Sequence, residues 1–463
     1  MENLINKLKY NKDVTVVNSD LPYIFIYQND SFNIQLFNRD YIEQIKKNVG
    51  LDLTQVFYGV CKNIETQSEE EILYILFSGM MIIYDISRNK YEMLDLISKP
   101  TRSISDSISE PESLTGARDG FVENAKANIT LIRSRVKDYN LDTEEIILGR
   151  RSKTKVTILS ISDITNSGYK KYIVNNIKKI DVDAVLTMED VTQIFQKDYL
   201  MPQYLYTGSP DLAVRNLYDG QILILIDNIP NVICLPNTIT SFIEHKLEKS
   251  DLKLYSKIER IFQFIFIFLS TFMLGLLASF VTYQSDSLSL LVLSTLKITQ
   301  KGVYLPIYAQ IVLVLFLFEL YYVVSMKSPK LTLSSMVVLV GGIIIGQNTI
   351  TSGLVGVFII TMVALCFLSS FTISSNVTFI LSISLVRMIL LASSLLLGLF
   401  GFTLASVYVI VRIASESKFN NNYLYPIIPF SYKGMKKMML FDSSPKLKTR
   451  PLNLKPKDKV KRK

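Results

Sequence analysis

The chain has 463 residues, with 50 Lys+Arg, 41 Asp+Glu, three Cys and a single His. One histidine, His245, excludes a multi-His metal site and argues against a Ser-His-Asp triad, and Cys61, Cys234 and Cys366 lie too far apart for a zinc or disulfide pattern. The net charge of +9 resides after Tyr425, where 12 Lys/Arg stand against two acids, so no nucleic-acid partner and no cofactor is indicated.

The opening MENLINKLKYNKDVTVVNSD is polar and lacks the apolar core of a secretion signal. A large soluble region is therefore expected first, on the cytoplasmic side. Residues 1–100 alternate short apolar runs such as DVTVV (13–17) and YIFIY (23–27) with helix-compatible stretches, and EEILYILFSGMMIIYDI (70–86) reads as helix then strand. This is an N-terminal α/β lobe. The Ser-rich TRSISDSISEPESLTGAR (101–118) is a linker. Residues 119–255 form a second α/β lobe. Its first element is a helix over 119–137, with Phe121, Ala125, Ile129, Ile132 and Val136 on one face. Strands at 156–162 and 222–227 and helices at 169–180 and 188–195 follow.

The composition then changes. Only seven charged residues lie between 261 and 411: Asp286, Lys297, Lys301, Glu319, Lys327, Lys330 and Arg387. The expected all-α transmembrane domain, 256–412, holds apolar segments at 261–283, 303–325, 331–350, 354–373 and 379–411, where about 20 residues suffice to span a bilayer. A basic tail, 413–463, ends the chain. The positive-inside rule puts that tail, Lys327 and Lys330 inside. With the N-terminal region also inside, the crossings must be even in number, and five segments are not. The expectation is four crossings, with 331–352 re-entrant or buried within an oligomer. The alternative is that 379–411 breaks at Gly398 or Gly401.

Glu319 and Arg387 are ionisable groups inside apolar segments, where such residues face a partner or a water path. They read either as the lining of an ion route or as an interhelical ion pair. Gly342 and Gly346 form a G-x-x-x-G that suits close helix packing, and Gln347 beside them is either part of a conduction element or a packing residue. Ser152-x-x-Lys155 lacks the companion motifs of a serine–lysine enzyme, and no phosphate-binding loop is present. No enzyme is indicated. The basic tail reads equally as a ligand for anionic lipid headgroups or as a topology anchor.

Residues 110–155 carry a pattern of their own: Glu110-Pro111, Gly116, Arg118, Gly120-Phe121, Glu123, Asn128, Arg133 and Arg135, then Gly149-Arg150-Arg151-Ser152-Lys153-Thr154-Lys155. Further on come Pro210-Asp211, Leu217-Tyr218-Asp219-Gly220, Phe318-Glu319, Gly341-Gly342, Gly346-Gln347, Arg387, and Gly398 with Gly401. Over residues 75–430 this resembles the GerA family of spore germination proteins, the A subunits of nutrient germinant receptors and their sporulation paralogues. The resemblance implies a multi-pass protein of the spore inner membrane, with its N-terminal region and tail cytoplasmic. It further implies a homo-oligomer forming a cation channel, with a transporter-like B subunit and a lipoprotein C subunit as partners. Glu319 and Gln347 would lie near the ion path. So would Arg387 and Gln310, although Gln310 stands where the family usually has Glu. Thr115, Tyr322 and Val323 also replace charged residues of the family. Two readings remain besides the receptor subunit: an accessory sporulation protein that amplifies ion release without sensing nutrient, and a secondary transporter, for which the internal repeat is missing.

Overall fold

A computed structural model describes residues 14–96 with short interruptions, 119–196, 200–243, 253–327, 346–374 apart from 348, 376–416, 422–435 apart from 433, and 450–460. The expected linker at 101–118, with Glu110, Pro111, Gly116 and Arg118, lies outside these residues, as do 331–345 and Gly342.

The first lobe is an antiparallel sheet of five strands, β1 (Val14–Asn18), β2 (Tyr23–Gln28), β3 (Cys61–Asn63), β4 (Met81–Asp85) and β5 (Lys90–Leu94), in the order β1-β2-β4-β5-β3. The aromatic and β-branched run YIFIYQ favours a pleated, half-buried strand. Its alternating side chains serve two cores: Tyr23, Phe25 and Tyr27 on one face, Ile26 on the other with Val14, Ile72 and Ile82.

The second lobe repeats this plan. Strands β6 (Leu141–Leu148), β7 (Thr154–Ile161), β8 (Leu205–Thr207), β9 (Ile222–Ile226) and β10 (Val232–Leu235) pair antiparallel in the order β6-β7-β9-β10-β8. The uniformly apolar ILILI of β9 is explained by burial on both faces. Ile222, Ile224 and Ile226 pack on one side, and Leu223 and Leu225 on the other. Helices α1 (Ala125–Arg135) and α4 (Pro210–Tyr218) contribute to the second of these cores, α2 (Ser167–Ile177) and α3 (Glu189–Gln196) to the first. The expected helix over 119–137 is shorter in the structure. Asn124 adopts extended geometry and caps α1 by accepting from the amides of Lys126 (2.9 Å) and Ala127 (3.3 Å), which leaves 119–124 outside the helix.

The C-terminal half is helical. Helix α5 (Lys253–Phe268) runs through a π turn (Leu269–Met273) into α6 (Leu274–Tyr283). Then come α7 (Leu290–Thr299), which the sequence reading missed, α8 (Ile307–Lys327), α9 (Val357–Ile373) and α10 (Val377–Ser415). Among the described residues, three stretches are long and apolar enough to cross a membrane: Ile258–Tyr283, Ile307–Val324 and Val377–Ser415.

The last of these is broken at Gly398, as the alternative reading of 379–411 had it. Gly398 has φ 62 and ψ −144, a conformation essentially restricted to glycine, and the helix folds back on itself there. A Cβ on Gly401 would lie 2.3 Å from the carbonyl oxygen of Ser393, eight residues earlier. In a continuous helix those positions are about 12 Å apart along the axis. Arms 377–397 and 399–415 therefore form a hairpin, and Phe379, Ile383, Val386, Val409 and Ile413 share one core with the second lobe.

The bundle thus has an end against the second lobe and an end away from it. Helix α8 starts at the far end, where Gln310 meets Gly356, and reaches Tyr322 beside Phe367 and Ile380, nearer the lobe. The chain reappears at the far end, where Tyr304 N donates to Gly353 O (2.8 Å). Among the described residues, five stretches join the two ends: Ile258–Tyr283, α8, α9 and the two arms. The expectation that 331–352 is re-entrant falls mainly on 331–345, outside the described residues.

The tail is not wholly a free basic extension. Residues 450–460 fold against the second lobe: Arg450 Nε donates to Tyr218 O (3.0 Å), Lys457 N to Ile164 O (2.9 Å), and Asn166 Nδ2 to Lys455 O (3.2 Å). Leu454 is buried there, and Pro456 covers Gly220.

Candidate functional site

The structure brings Glu319 and Arg387 together as an interhelical ion pair. Arg387 Nη2 lies 2.5 Å from Glu319 Oε1, joining α8 to the first arm of the hairpin. Arg387 is 1% exposed; its Nη1 donates to Ser370 Oγ on α9 (3.1 Å) and its Nη2 also to Ser384 Oγ (3.3 Å). Ser384 Oγ donates in turn to Glu319, and the guanidinium sits 5.8 Å from the centroid of the Phe367 ring. Three helices thus meet at one polar node in an apolar bundle. Breaking a buried pair from one side costs about 3–5 kcal/mol, because it leaves an uncompensated charge.

Gln310 occupies a second node, at the far end. It is 0% exposed. Its amide exchanges hydrogen bonds with Gln300 (3.1 and 2.7 Å), donates to Leu305 O (2.6 Å) and accepts from Gly356 N (2.9 Å), one of the unpaired amides at the start of α9. Gln347 stands apart from both nodes, exposed on the short helical turn ahead of Gly353. No described atom lies within 4 Å of a Cβ on Gly346, and Gly342, its partner in the motif, lies outside the described residues. Close approach occurs instead at Gly275, whose Cβ would meet Phe402 at 3.0 Å, and at Gly398, against the Tyr283 ring at 3.1 Å.

The joint between lobe and membrane domain escaped the sequence reading. Phe242 of the second lobe stacks on Phe379 at the start of α10. Just after the second arm, the fully buried Glu416 accepts from Leu200 N (2.6 Å) and Gln203 Nε2 (3.4 Å), both in the lobe. Burial pushes its carboxyl above the usual range, and the Leu200 and Met201 amides and Arg412 oppose that only in part. Phe242 and Glu416 are unremarkable in sequence; only the fold brings them to the two feet of one hairpin.

In the second lobe, the motif residues inside the described range build structure. Phe121 is buried and its amide donates to Gly208 O (2.8 Å), and Glu123 O accepts from Asn228 N (2.8 Å); Gly120 is buried beside them. The Asn128 side chain clamps Val122 through both its amide (2.8 Å) and its carbonyl (2.6 Å). Arg133 is wholly buried, donating to the carbonyls of Asp138 (3.1 Å) and Leu141 (2.8 Å), and burial lowers it to about 10. Arg135 bridges Asp119 (2.8 Å) and Asp211 (2.5 Å); burial pulls it down, but the two carboxylates outweigh that and hold it above its ordinary value.

A half-open cleft of about 970 Å³ lies between this lobe and the docked tail, lined by Asp138, Asp163, Asp211, Arg215, Arg450 and Asp458 among others. Among the described residues no three His, Cys, Asp or Glu gather to hold a metal. Ser152 Oγ is tied to Val185 N (3.2 Å) and Thr154 Oγ1 (2.9 Å), bracing the turn between β6 and β7.

The family described as Bacillus/Clostridium GerA spore germination protein matches residues 2–453. Spore germination protein XA of Bacillus anthracis is 29% identical over 389 residues, 84% of this chain and 78% of its own. Stage V sporulation protein AF of Bacillus subtilis (strain 168) is 29% identical over 392 residues, 83% and 78% respectively. Spore germination protein GerQA of Bacillus cereus is 26% identical over 444 residues, 93% and 87%. Among solved structures, the N-terminal domain of the A subunit of the Bacillus megaterium spore germinant receptor GerK3 matches with a TM-score of 0.36 at 20% identity, over 50% of this chain and 91% of that one.

Proposed function

Because the chain belongs to the Bacillus/Clostridium GerA spore germination protein family, we propose that it is the A subunit of a nutrient germinant receptor. In this reading it oligomerises in the spore inner membrane and forms the cation channel whose opening starts germination. The observation that carries the reading is the extent of the match, which takes in both lobes and every apolar helix. A transporter-like B subunit and a lipoprotein C subunit are its partners, and it runs no enzymatic reaction.

Both lobes and the tail are assigned to the cytoplasmic side. Docking of residues 450–460 on the second lobe supports a shared side for the two. Gln347, exposed at the far end, and Gln310 are assigned to the ion path, while Glu319 and Arg387 act through their pair. If Gln347→Ala and Glu319→Ala both leave ion release unchanged, this assignment of residues fails.

A second reading has its own support, because the match to stage V sporulation protein AF equals the match to germination protein XA in identity. The chain would then amplify ion release without belonging to a nutrient-sensing complex. Potassium release from spores lacking the gene separates the two. Loss of the response to nutrient mixtures, with the response to calcium dipicolinate intact, is expected for a receptor subunit. Undiminished nutrient responses would favour the accessory role.

A further inference from the structure

Helix α8 and the hairpin α10 meet at one small contact inside the membrane domain. The hairpin is continuous with the second lobe: Leu223 and Leu225 of β9 and Phe242 share a core with Phe379, Ile383, Val386, Val409 and Ile413. Helix α6 packs closely on the hairpin, through Gly275 against Phe402 and Tyr283 Oη donating to Leu395 O (2.7 Å). Helix α8 lies with α6, α7 and α9 around Leu296, Ile311, Val314, Ile359 and Val363, a core that Leu391 of the hairpin joins. Two hydrogen bonds tie α8 to α10, and both end on Glu319, with Ser384 and Arg387 as the donors. The apolar part of this contact is the small cluster of Tyr322, Phe367 and Ile380.

We propose that the Glu319–Arg387 pair is a lock between α8 and the hairpin: it holds the closed arrangement and is released when the second lobe carries the hairpin, with α6 packed on it, away from α8. The inference rests on the channel reading given above. Its physical basis is that apolar contacts slide at little cost, whereas a buried ion pair is either made or broken. Arg387 has Ser370 on α9 as its other partner outside its own helix, and Ser384 belongs to its own helix. Nothing else among the described residues of α8 offers it a carboxylate. A displacement of the hairpin by one helical turn, about 5.4 Å, would part the pair completely. Because Phe242 and Glu416 grip both feet of the hairpin, a motion of the lobe reaches Arg387 without any flexible connection between.

The test uses spores carrying the full-length chain in its native receptor. Glu319→Gln, Arg387→Gln and the double substitution are compared for potassium release without nutrient, for the nutrient concentration giving half-maximal release, and for the amount of protein in the membrane. A lock predicts that each variant raises nutrient-free release about tenfold per molecule and lowers the half-maximal concentration. The double variant should do no more than the larger single one, since the pair can be lost only once. Isolated spore membranes supply a readout independent of conduction: Tyr322→Cys with Ile380→Cys, bridged by a short bismaleimide in a chain otherwise free of Cys, should cross-link less when Glu319→Gln is present. If no strain conducts, wild type included, but the cross-link falls, the channel reading fails and the lock stands. Should the single variants not accumulate, the double variant decides, because it leaves no charge unpaired. Wild-type release and wild-type cross-linking in the double variant would overturn the proposal.

Discussion

Phe242 of the second lobe lies flat on Phe379 at the start of the hairpin, their ring centroids 5.0 Å apart and their planes 3° from parallel. Parallel rings at this centroid separation are offset, one of the arrangements that aromatic quadrupoles favour, so the pair adds to the packing of the surrounding core. Phe242→Ala should therefore remove packing that joins lobe to membrane, at a cost of about 3–5 kcal/mol. Thermal unfolding of the detergent-solubilised protein would show it as a lowered midpoint, and Phe242→Leu should recover much of the loss.

Gly398 tolerates no side chain. Its φ of 62 with ψ of −144 excludes other residues on backbone grounds, and a Cβ would stand 3.1 Å from the Tyr283 ring. Gly398→Ala is expected to cost about 1–3 kcal/mol and to lower the amount of protein accumulating in membranes. Gly346→Ala, at an open helical position, should leave accumulation unchanged or raise it.

Glu416 gives the lobe–hairpin joint a dependence on pH. Its folded-state pKa is raised by burial above the ordinary carboxyl value, so the folded protein binds a proton more readily than the unfolded chain. Its contribution to stability is full below the ordinary pKa and is lost as pH rises through the raised one. Glu416→Gln should flatten that part of the stability profile, measured as unfolding midpoint between about pH 4 and pH 8. An unchanged slope would show that Glu416 titrates as it does in the unfolded chain.

Arg450 is the anchor of the docked tail: its side chain donates to the carbonyls of Tyr218 (3.0 Å), Asp458 (3.0 Å) and Val460 (2.8 Å) and pairs with Asp458 at 2.7 Å. Arg450→Ala should leave several of these acceptors without a donor, at about 1–3 kcal/mol. Protease cleavage between 436 and 463 should become faster, while the first lobe, which has its own cores, keeps its resistance.

Much of this organisation is legible in the sequence because it rests on local pattern. The apolar runs of β2, β7 and β9 and the helical periods of α2 and α3 follow from side-chain spacing. The charge-poor region announces the membrane helices, and Glu319 and Arg387 stand out because each is isolated in an apolar segment. What stayed hidden depends on chain reversal and on distant contacts. Hydropathy does not register the turn at Gly398, because no polar residue interrupts Leu396–Phe400. Phe242 and Phe379 are 137 residues apart and look like any core aromatics. The docked tail is masked by its lysines, although its contacts run mainly through backbone carbonyls and Arg450. Asn124 had the chemistry of a helix cap, yet the apolar stripe beginning at Phe121 drew the expected helix start too early.

The reversal at Gly398 has a consequence for how the molecule is made. A tight turn in lipid strips partners from the last carbonyls of the incoming helix, and here Tyr283 Oη donates to Leu395 O at 2.7 Å. Leu396, Leu397 and Phe400 around the turn are exposed and apolar. The tip therefore presents no hydrophilic loop to be dragged across the bilayer during biosynthesis. The two arms are therefore expected to enter the insertion machinery as one unit, with Tyr283, made more than a hundred residues earlier, available to cap Leu395 O.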